Sequence, residues 1–314
     1  MAGTPANAGP SRNGPARMSL ARFRERERGR GAVMPKTFRA AVAAEMGQAF
    51  SPPYQVPGVV VGNGLLMAAA WFLLPRGWLF TLQSPLAFPV VLSSWMYADV
   101  PATNVLAPDR IRVLAALDDD TMISRLLLAK TAVLWVFVAP LCAALAVVLG
   151  LEHHDALFIT TAIIAICVIP VACLPVAAQV GIRWPYHPLP LHYRWDHRVP
   201  RHRMIVRWLI LVLVPYGLVP ALCVLMAVPA LVVLVLTHTA SNHVISFIDA
   251  KGKPFGLAIS GSSHPISGAL FAACVALTCG VAAVVWVLGR RADMRLIRRR
   301  RAKVAAYLAD PTRG

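Results

Sequence analysis

Apolar residues in this chain are gathered into blocks, at about 58–74, 77–98, 131–151, 156–181, 206–237 and 266–288. A helix of roughly twenty such residues crosses the ~30 Å hydrocarbon layer of a bilayer. Hydrocarbon offers no partner to an open backbone N–H or C=O, so segments of this kind fold as helices. Composition points the same way, with 58% hydrophobic residues, 14% charged residues and a mean hydropathy of +0.63. So few charges cannot cover the surface of a soluble fold of 314 residues. The expectation is an all-α integral membrane protein with six transmembrane helices. Soluble enzymes, secreted disulfide scaffolds and disordered proteins are excluded.

The six cysteines, Cys142, Cys167, Cys173, Cys223, Cys274 and Cys279, all lie inside apolar blocks. They read as small core hydrophobes, with no CxxC pair and no metal spacing. The first apolar block begins near Gly58, too late for a cleaved signal peptide, so the first span is expected to direct insertion.

The net charge of +17 would suggest nucleic acid in a soluble protein, but here it resides between the blocks. The segments before Gly58, at 100–130, at 183–207 and at 289–314 hold 28 of the 31 basic residues. These segments fall on one side of a six-span arrangement. Only Arg76, Lys251 and Lys253 fall on the other. The positive-inside rule then places both termini in the cytoplasm, in the cell membrane.

Four regions follow. Residues 1–35 form a basic tail rich in Gly, Pro, Ala and Arg, expected to be disordered and held by anionic lipids rather than nucleic acid. Residues 36–57 comprise an interfacial helix, with Phe38, Val42 and Met46 as its apolar face, and a linker marked by Pro52, Pro53 and Pro57. The six spans occupy 58–289, and a basic tail occupies 290–314. The fifth block is too long for one crossing, and Pro215, Pro220 and Pro229 are expected to break it. A span followed by a re-entrant piece ahead of span six is preferred to one kinked helix.

Chemistry-bearing patterns are sparse. Lys251-Gly252-Lys253-Pro254 lacks the glycine frame of a P-loop, and no charge lies near the middle of any span. The nearest charges are Asp99 and Lys130, at span ends. His187, His192, His197 and His202 recur every five residues, a spacing that puts successive rings about 140° apart on a helix. They do not converge as metal ligands must. No cofactor, metal or catalytic set is expected. The polar residues within spans, among them Asn63, Gln83, Ser84, Ser93, Ser94 and Gln179, read as interhelical hydrogen-bonding groups before they read as a substrate path.

The most informative stretch runs from Asn104 to Lys130. Asp109-Arg110, Leu114 to Leu117, Ser124 and Leu126 to Lys130 give it an outline that resembles the permease subunits of type-2 ABC exporters, particularly actinobacterial ones. Residues 180–186 and the terminus from Arg298 to Gly314 are similar to stretches of that family as well. The chain departs from it at Asp118-Asp119-Asp120, where a proline-containing turn is more usual. The resemblance implies six spans per subunit and a dimer with a second permease subunit, identical or not. It also implies re-entrant helices before span six and a separate ATPase subunit docked beneath the loop between spans two and three. No ATPase activity of its own is then expected.

In that loop, Pro108 suits the first turn of a short helix and Asp109 its positive end. Asp109, Arg110, Ile111, Leu114 and Leu117 are the residues expected to couple to the ATPase. The plainer account of this apolar edge is packing against the span ends. The alternative to an exporter is a non-transporting membrane scaffold that recruits partners through its basic ends.

Overall fold

The computed structural model describes residues 35–50, 55–73, 87–98, 100–151, 156–187, 201–239, 246–247, 257–258 and 268–310. Its helices are α1 (Phe38–Ala49), α2 (Gln55–Leu73), α3 (Ala87–Tyr97), α4 (Val100–Thr103), α5 (Arg110–Ala116), α6 (Asp120–Gly150), α7 (Ala156–Val168), α8 (Leu174–Arg183), α9 (Arg201–Thr239) and α10 (Gly268–Ala309). Short 3-10 turns at Ala107–Asp109 and Pro170–Cys173 lead into α5 and α8. A two-residue antiparallel pairing, Ser246 with Ala258 and Phe247 with Leu257, lies between α9 and α10.

Among the described residues, four helices are long and apolar enough to cross a membrane: Asp120–Gly150, Ile159–Arg183, Ile205–Val233 and Ala269–Ala309. The second joins α7 and α8 through the 3-10 turn at Pro170. Trp135 of α6 donates its indole N–H to the carbonyl of Cys167, 3.1 Å away, just upstream of that turn. The first apolar block coincides with α2, which begins before Gly58 and accommodates Pro57 in its first turn, but its apolar part, Val56–Leu66, is shorter than those four helices. Of the second block, residues 77–86 lie outside the described residues, and α3 covers most of the rest.

The fifth block corrects the expectation of a break. Residues Arg201–Thr239 form one helix that continues through Pro215, Pro220 and Pro229. Each proline removes one N–H and crowds the carbonyl four residues back, but the remaining ladder bonds have no competing solvent in an apolar setting. Continuing the helix therefore leaves fewer open backbone groups than ending it. Apart from the short strand pairing, the expected re-entrant stretch lies outside the described residues.

The helix α1 forms where the sequence places it, capped by Thr37, whose Oγ1 accepts from the Ala40 N–H at 3.2 Å. Its buried face differs from the expected one. Ala41, Glu45 and Ala49 turn inward, and Phe38 is 47% exposed. The two alanines let α1 lie close on α6, and a charge partner for Glu45 waits there.

One core joins α2, α3, α6 and α7 around Met96, Tyr97, Val138 and Ile166. A second joins the 3-10 turn at Pro170 with α8, α9 and α10 around Cys173, Val219 and Ala282. Outward faces are apolar too, with Val148, Leu213, Val224 and Leu236 largely exposed. A surface of this kind suits a lipid environment.

Close approaches mark two glycines. A Cβ at Gly289, halfway along α10, would come within 2.9 Å of Pro175 in α8. At Gly181 a Cβ would sit 1.8 Å from the carbonyl oxygen of Thr103. The segment after α4 thus runs directly across α8, and it is tied down on both sides. The Thr103 hydroxyl lies 3.3 Å from the Leu211 carbonyl, which accepts from it, and the Asn104 amide donates to the Tyr186 carbonyl at 2.7 Å. Gly181→Ala should lower stability by about 1–3 kcal/mol, the usual cost of overpacking. Gly47→Ala, within α1 where a Cβ meets nothing within 4 Å, should instead raise it by up to about 1 kcal/mol through helix propensity. Apparent melting temperatures of the two variants in detergent check this.

Candidate functional site

The charged end of the bundle is built on the loop between α4 and α6. Residues 102–107 are all buried, and the chain then turns through Pro108 into α5. Asp109, at the join, accepts from Arg112 Nε at 2.9 Å, one turn later. The same guanidinium lies 2.7 Å from Glu45 Oε1 of α1 and 2.8 Å from Asp109 Oδ2, and the Gln48 side chain accepts a hydrogen bond from it. Lys130 of α6 closes the set, 2.9 Å from Glu45 Oε2 and 3.6 Å from Asp109 Oδ2.

These four side chains are between 6% and 12% exposed. Two carboxylates and two cations sum to zero, so no net charge is buried. Glu45 Oε1 and Asp109 Oδ2 meet the guanidinium without N–H alignment, which makes those two contacts chiefly coulombic. A buried set of this kind holds while complete and is costly when one partner is removed.

Around it stands a second layer. Asp119 caps α6, accepting from the N–H groups of Thr121 and Met122 at 2.8 and 3.2 Å and from the Thr121 hydroxyl at 2.6 Å. The Thr121 hydroxyl, followed by those N–H groups, holds this carboxyl below its ordinary value. Asp120 pairs with Arg298 at 2.7 Å and Arg301 at 3.2 Å, and Asp118 lies 3.8 Å from Arg301. The three aspartates therefore divide their work: one starts α6 and two bind α10. Between the charges, Leu117, Ile123 and Leu126 pack against Ile297, Val304 and Leu308 of α10.

Asp293 stands apart. It lies in α10, five residues past Leu288, where the apolar stretch ends. It is fully buried, and neither carboxyl oxygen has a hydrogen-bond partner of acceptable geometry among the described residues. Gln179 approaches it from α8 and Arg290 from its own helix. A narrow cleft beside it is lined by Lys130, Thr131 and Arg290. Burial pushes its carboxyl up to about 8, against the pull of Arg290.

The residues singled out from sequence fall in different places. Asp109 belongs to the buried charge set. Arg110 donates to the Leu308 carbonyl at 3.3 Å. Ile111 and Leu114 are half-buried along the outer edge of α5, but Leu117 is only 2% exposed beneath α10. The expectation that Leu117 is presented to a partner is thereby corrected, because α10 continues past the apolar stretch and covers it. Asn63 donates to the Tyr216 hydroxyl, an interhelical bond between α2 and α9. Gln83 lies outside the described residues.

Of the histidine series, His187 is buried, stacked on Tyr307 at 4.6 Å, with Nε2 3.0 Å from the Tyr307 carbonyl. His192 and His197 lie outside the described residues, and His202 sits in the first turn of α9. Among the described residues no three His, Cys, Asp or Glu side chains are grouped to hold a metal ion. No protein-family model, curated protein or solved structure matches this chain.

Sequence reasoning missed Glu45, Arg112 and Asp293. Glu45 could have been found as the one charge in an i, i+4, i+8 row with Ala41 and Ala49. Asp293 is the one acid in the basic run from Arg290 to Lys303.

Two measurements test this electrostatic arrangement. Lys130→Met leaves two buried carboxylates on one guanidinium and should cost about 3–5 kcal/mol in SDS titration of mixed micelles. Adding Glu45→Gln should restore part of that, and additive effects would refute a direct pair. For Asp293, the folded carboxyl keeps its proton to about pH 8, and its ordinary value is 3.8. The folded state binds the extra proton between those values, so stability should decline as pH rises through that window. Asp293→Asn should remove this part of the slope, measured as apparent melting temperature from pH 5 to 8.

Proposed function

We propose that this chain is the membrane-spanning permease subunit of an ATP-driven exporter of the ABC-2 type, energised by a separate nucleotide-binding subunit. The observation that carries the reading is the construction around α5. This short helix is gripped on one side by buried charges on α1 and α6, and by α10 above Leu117. Its opposite edge offers a partner Ile111 and the exposed Ala115, beside Leu114, which is half-buried and packs on the core beneath α10. A push on that edge passes through Arg112 and Asp109 into Glu45 and Lys130 without a flexible link.

In this reading α2 and α3 contribute the first two of six spans, and the four long apolar helices are the rest. Both termini are cytoplasmic, since the basic segments flank the same ends of the spans. The charged end then faces the ATPase. Two permease subunits enclose the path, and ATP is hydrolysed only in the partner.

Replacing Ile111 and Ala115 together with Glu tests the assignment. Leu114 and Leu117 are spared, because both pack on the core beneath α10 and a Glu there would disrupt folding itself. The expected outcome is normal membrane insertion with loss of ATPase co-purification and of export. A variant that still binds its ATPase and transports normally would refute the role of α5.

A further inference from the structure

The acids around α5 and at the start of α6 all have partners: Glu45 and Asp109 in the buried charge set, Asp118 and Asp120 on α10, Asp119 in the cap of α6. Asp293 does not. It is fully buried, it lines the cleft where α6, α8 and α10 converge, and neither of its oxygens is bonded there. Lys130 and Thr131 face that cleft from α6, Gln179 approaches from α8, and Arg290 stands one turn earlier on α10. Ala102 and Val105, from the chain around α4, bring no charge to it. Behind Lys130 stand Glu45 of α1 and Asp109 at the start of α5. The cation that α9 turns toward α10, Arg207, lies over Tyr307, about four turns further on.

These surroundings select the ligand. Two cationic side chains on the cleft repel a metal cation, and the space takes about one water molecule, too little for an organic ion. An ionised carboxylate with no donor bonded to it is costly at such depth, and a proton removes that cost. Arg290 meanwhile is engaged elsewhere. Its Nη2 donates to the carbonyl of Ser124 at 2.9 Å and lies 3.1 Å from the hydroxyl, which ties α10 to α6. Both of those acceptors are neutral. Residues three apart on a helix are neighbours, and a hydrogen bond to a carboxylate is about twice as strong as one to a carbonyl. An ionised Asp293 therefore competes with Ser124 for the same guanidinium. Lys130 is less available, since Glu45 already holds it at 2.9 Å.

We infer that Asp293 is a proton-binding site that operates a latch between α10 and α6. With the proton on Asp293, Arg290 stays on Ser124 and the two helices are tied just past Gly289. When the proton leaves to water, the carboxylate draws Arg290 back along its own helix and the tie to α6 is lost. Only the O–H bond of Asp293 breaks; the rest is an exchange of hydrogen-bond acceptors. The site stands apart from the permease reading. Within that reading, the latch lets the pH at the charged end set how firmly α10 is held.

The test uses the full chain in detergent at pH 6 and pH 9, either side of the value of about 8 at which the folded carboxyl releases its proton. Infrared difference spectra should show the C=O band of a buried carboxylic acid at pH 6. That band should vanish at pH 9 and be missing from Asp293→Asn at both. Ser124→Ala removes the hydroxyl acceptor and should lower the melting temperature by about 2–4 °C at pH 6, relative to the wild type at the same pH. At pH 9 it should cost nothing, because Arg290 has already left. In the Asp293→Asn background its cost should be equal at the two pH values. A spectrum without the band would show Asp293 ionised throughout and overturn the inference. A band that titrates, with Ser124→Ala costing the same at pH 6 and pH 9, would hand the new charge to Lys130 and overturn the latch.

Discussion

Taking a carboxylate or an ammonium group out of water costs several kcal/mol per ion, and Glu45, Asp109, Arg112 and Lys130 are all taken out together. What makes this tolerable is their mutual neutrality and their closeness, drawn from three separate parts of the chain. The placement of those parts depends on it. A twelve-residue helix such as α1 is marginal in isolation, and it has few buried apolar side chains to hold it. Glu45 docks it. The short α5 is likewise too small to fold alone and is oriented by Arg112 pointing inward.

The two regions of the molecule follow opposite rules. Along the apolar helices, large hydrophobic side chains face outward as well as inward, and alanines such as Ala98, Ala172, Ala177 and Ala282 share the interior with Met96, Tyr97 and Ile166. The small residues let helices approach closely where the surroundings are apolar on both sides. At the charged end the ordinary rule returns, with leucine, isoleucine and valine inside and arginine at the rim. The changeover falls near Gly289. Asp118 to Asp120 belong wholly to the second regime, which explains why three acids interrupt an otherwise apolar loop.

Much of this architecture was legible in the sequence because hydropathy acts over twenty-residue blocks. The long apolar helices, the start of α1 and the turn at Pro108 each have a local cause that spacing or residue type exposes. The fate of the prolines in α9 did not read correctly, since a proline's helix-breaking cost assumes that water can take the freed carbonyls. The buried set was invisible for another reason. Glu45 and Lys130 are 85 residues apart, and only the folded chain reveals that they meet. Leu117 was misjudged because its cover, α10, arrives nearly two hundred residues later.

The helix α10 contains no proline, the commonest cause of a kink, and runs unbroken from Gly268 to Ala309. Gly289 sits at its midpoint, where the absence of a side chain lets the helix lie directly against Pro175. Geometrically this is a lever with its fulcrum at the centre. Each arm is about 30 Å long at 1.5 Å per residue. A tilt of about 10° around the fulcrum carries the two ends about 5 Å in opposite directions. Whatever moves Leu308 at one end thus moves Leu270 and Phe271 at the other by a similar distance, with no proline in between to absorb it.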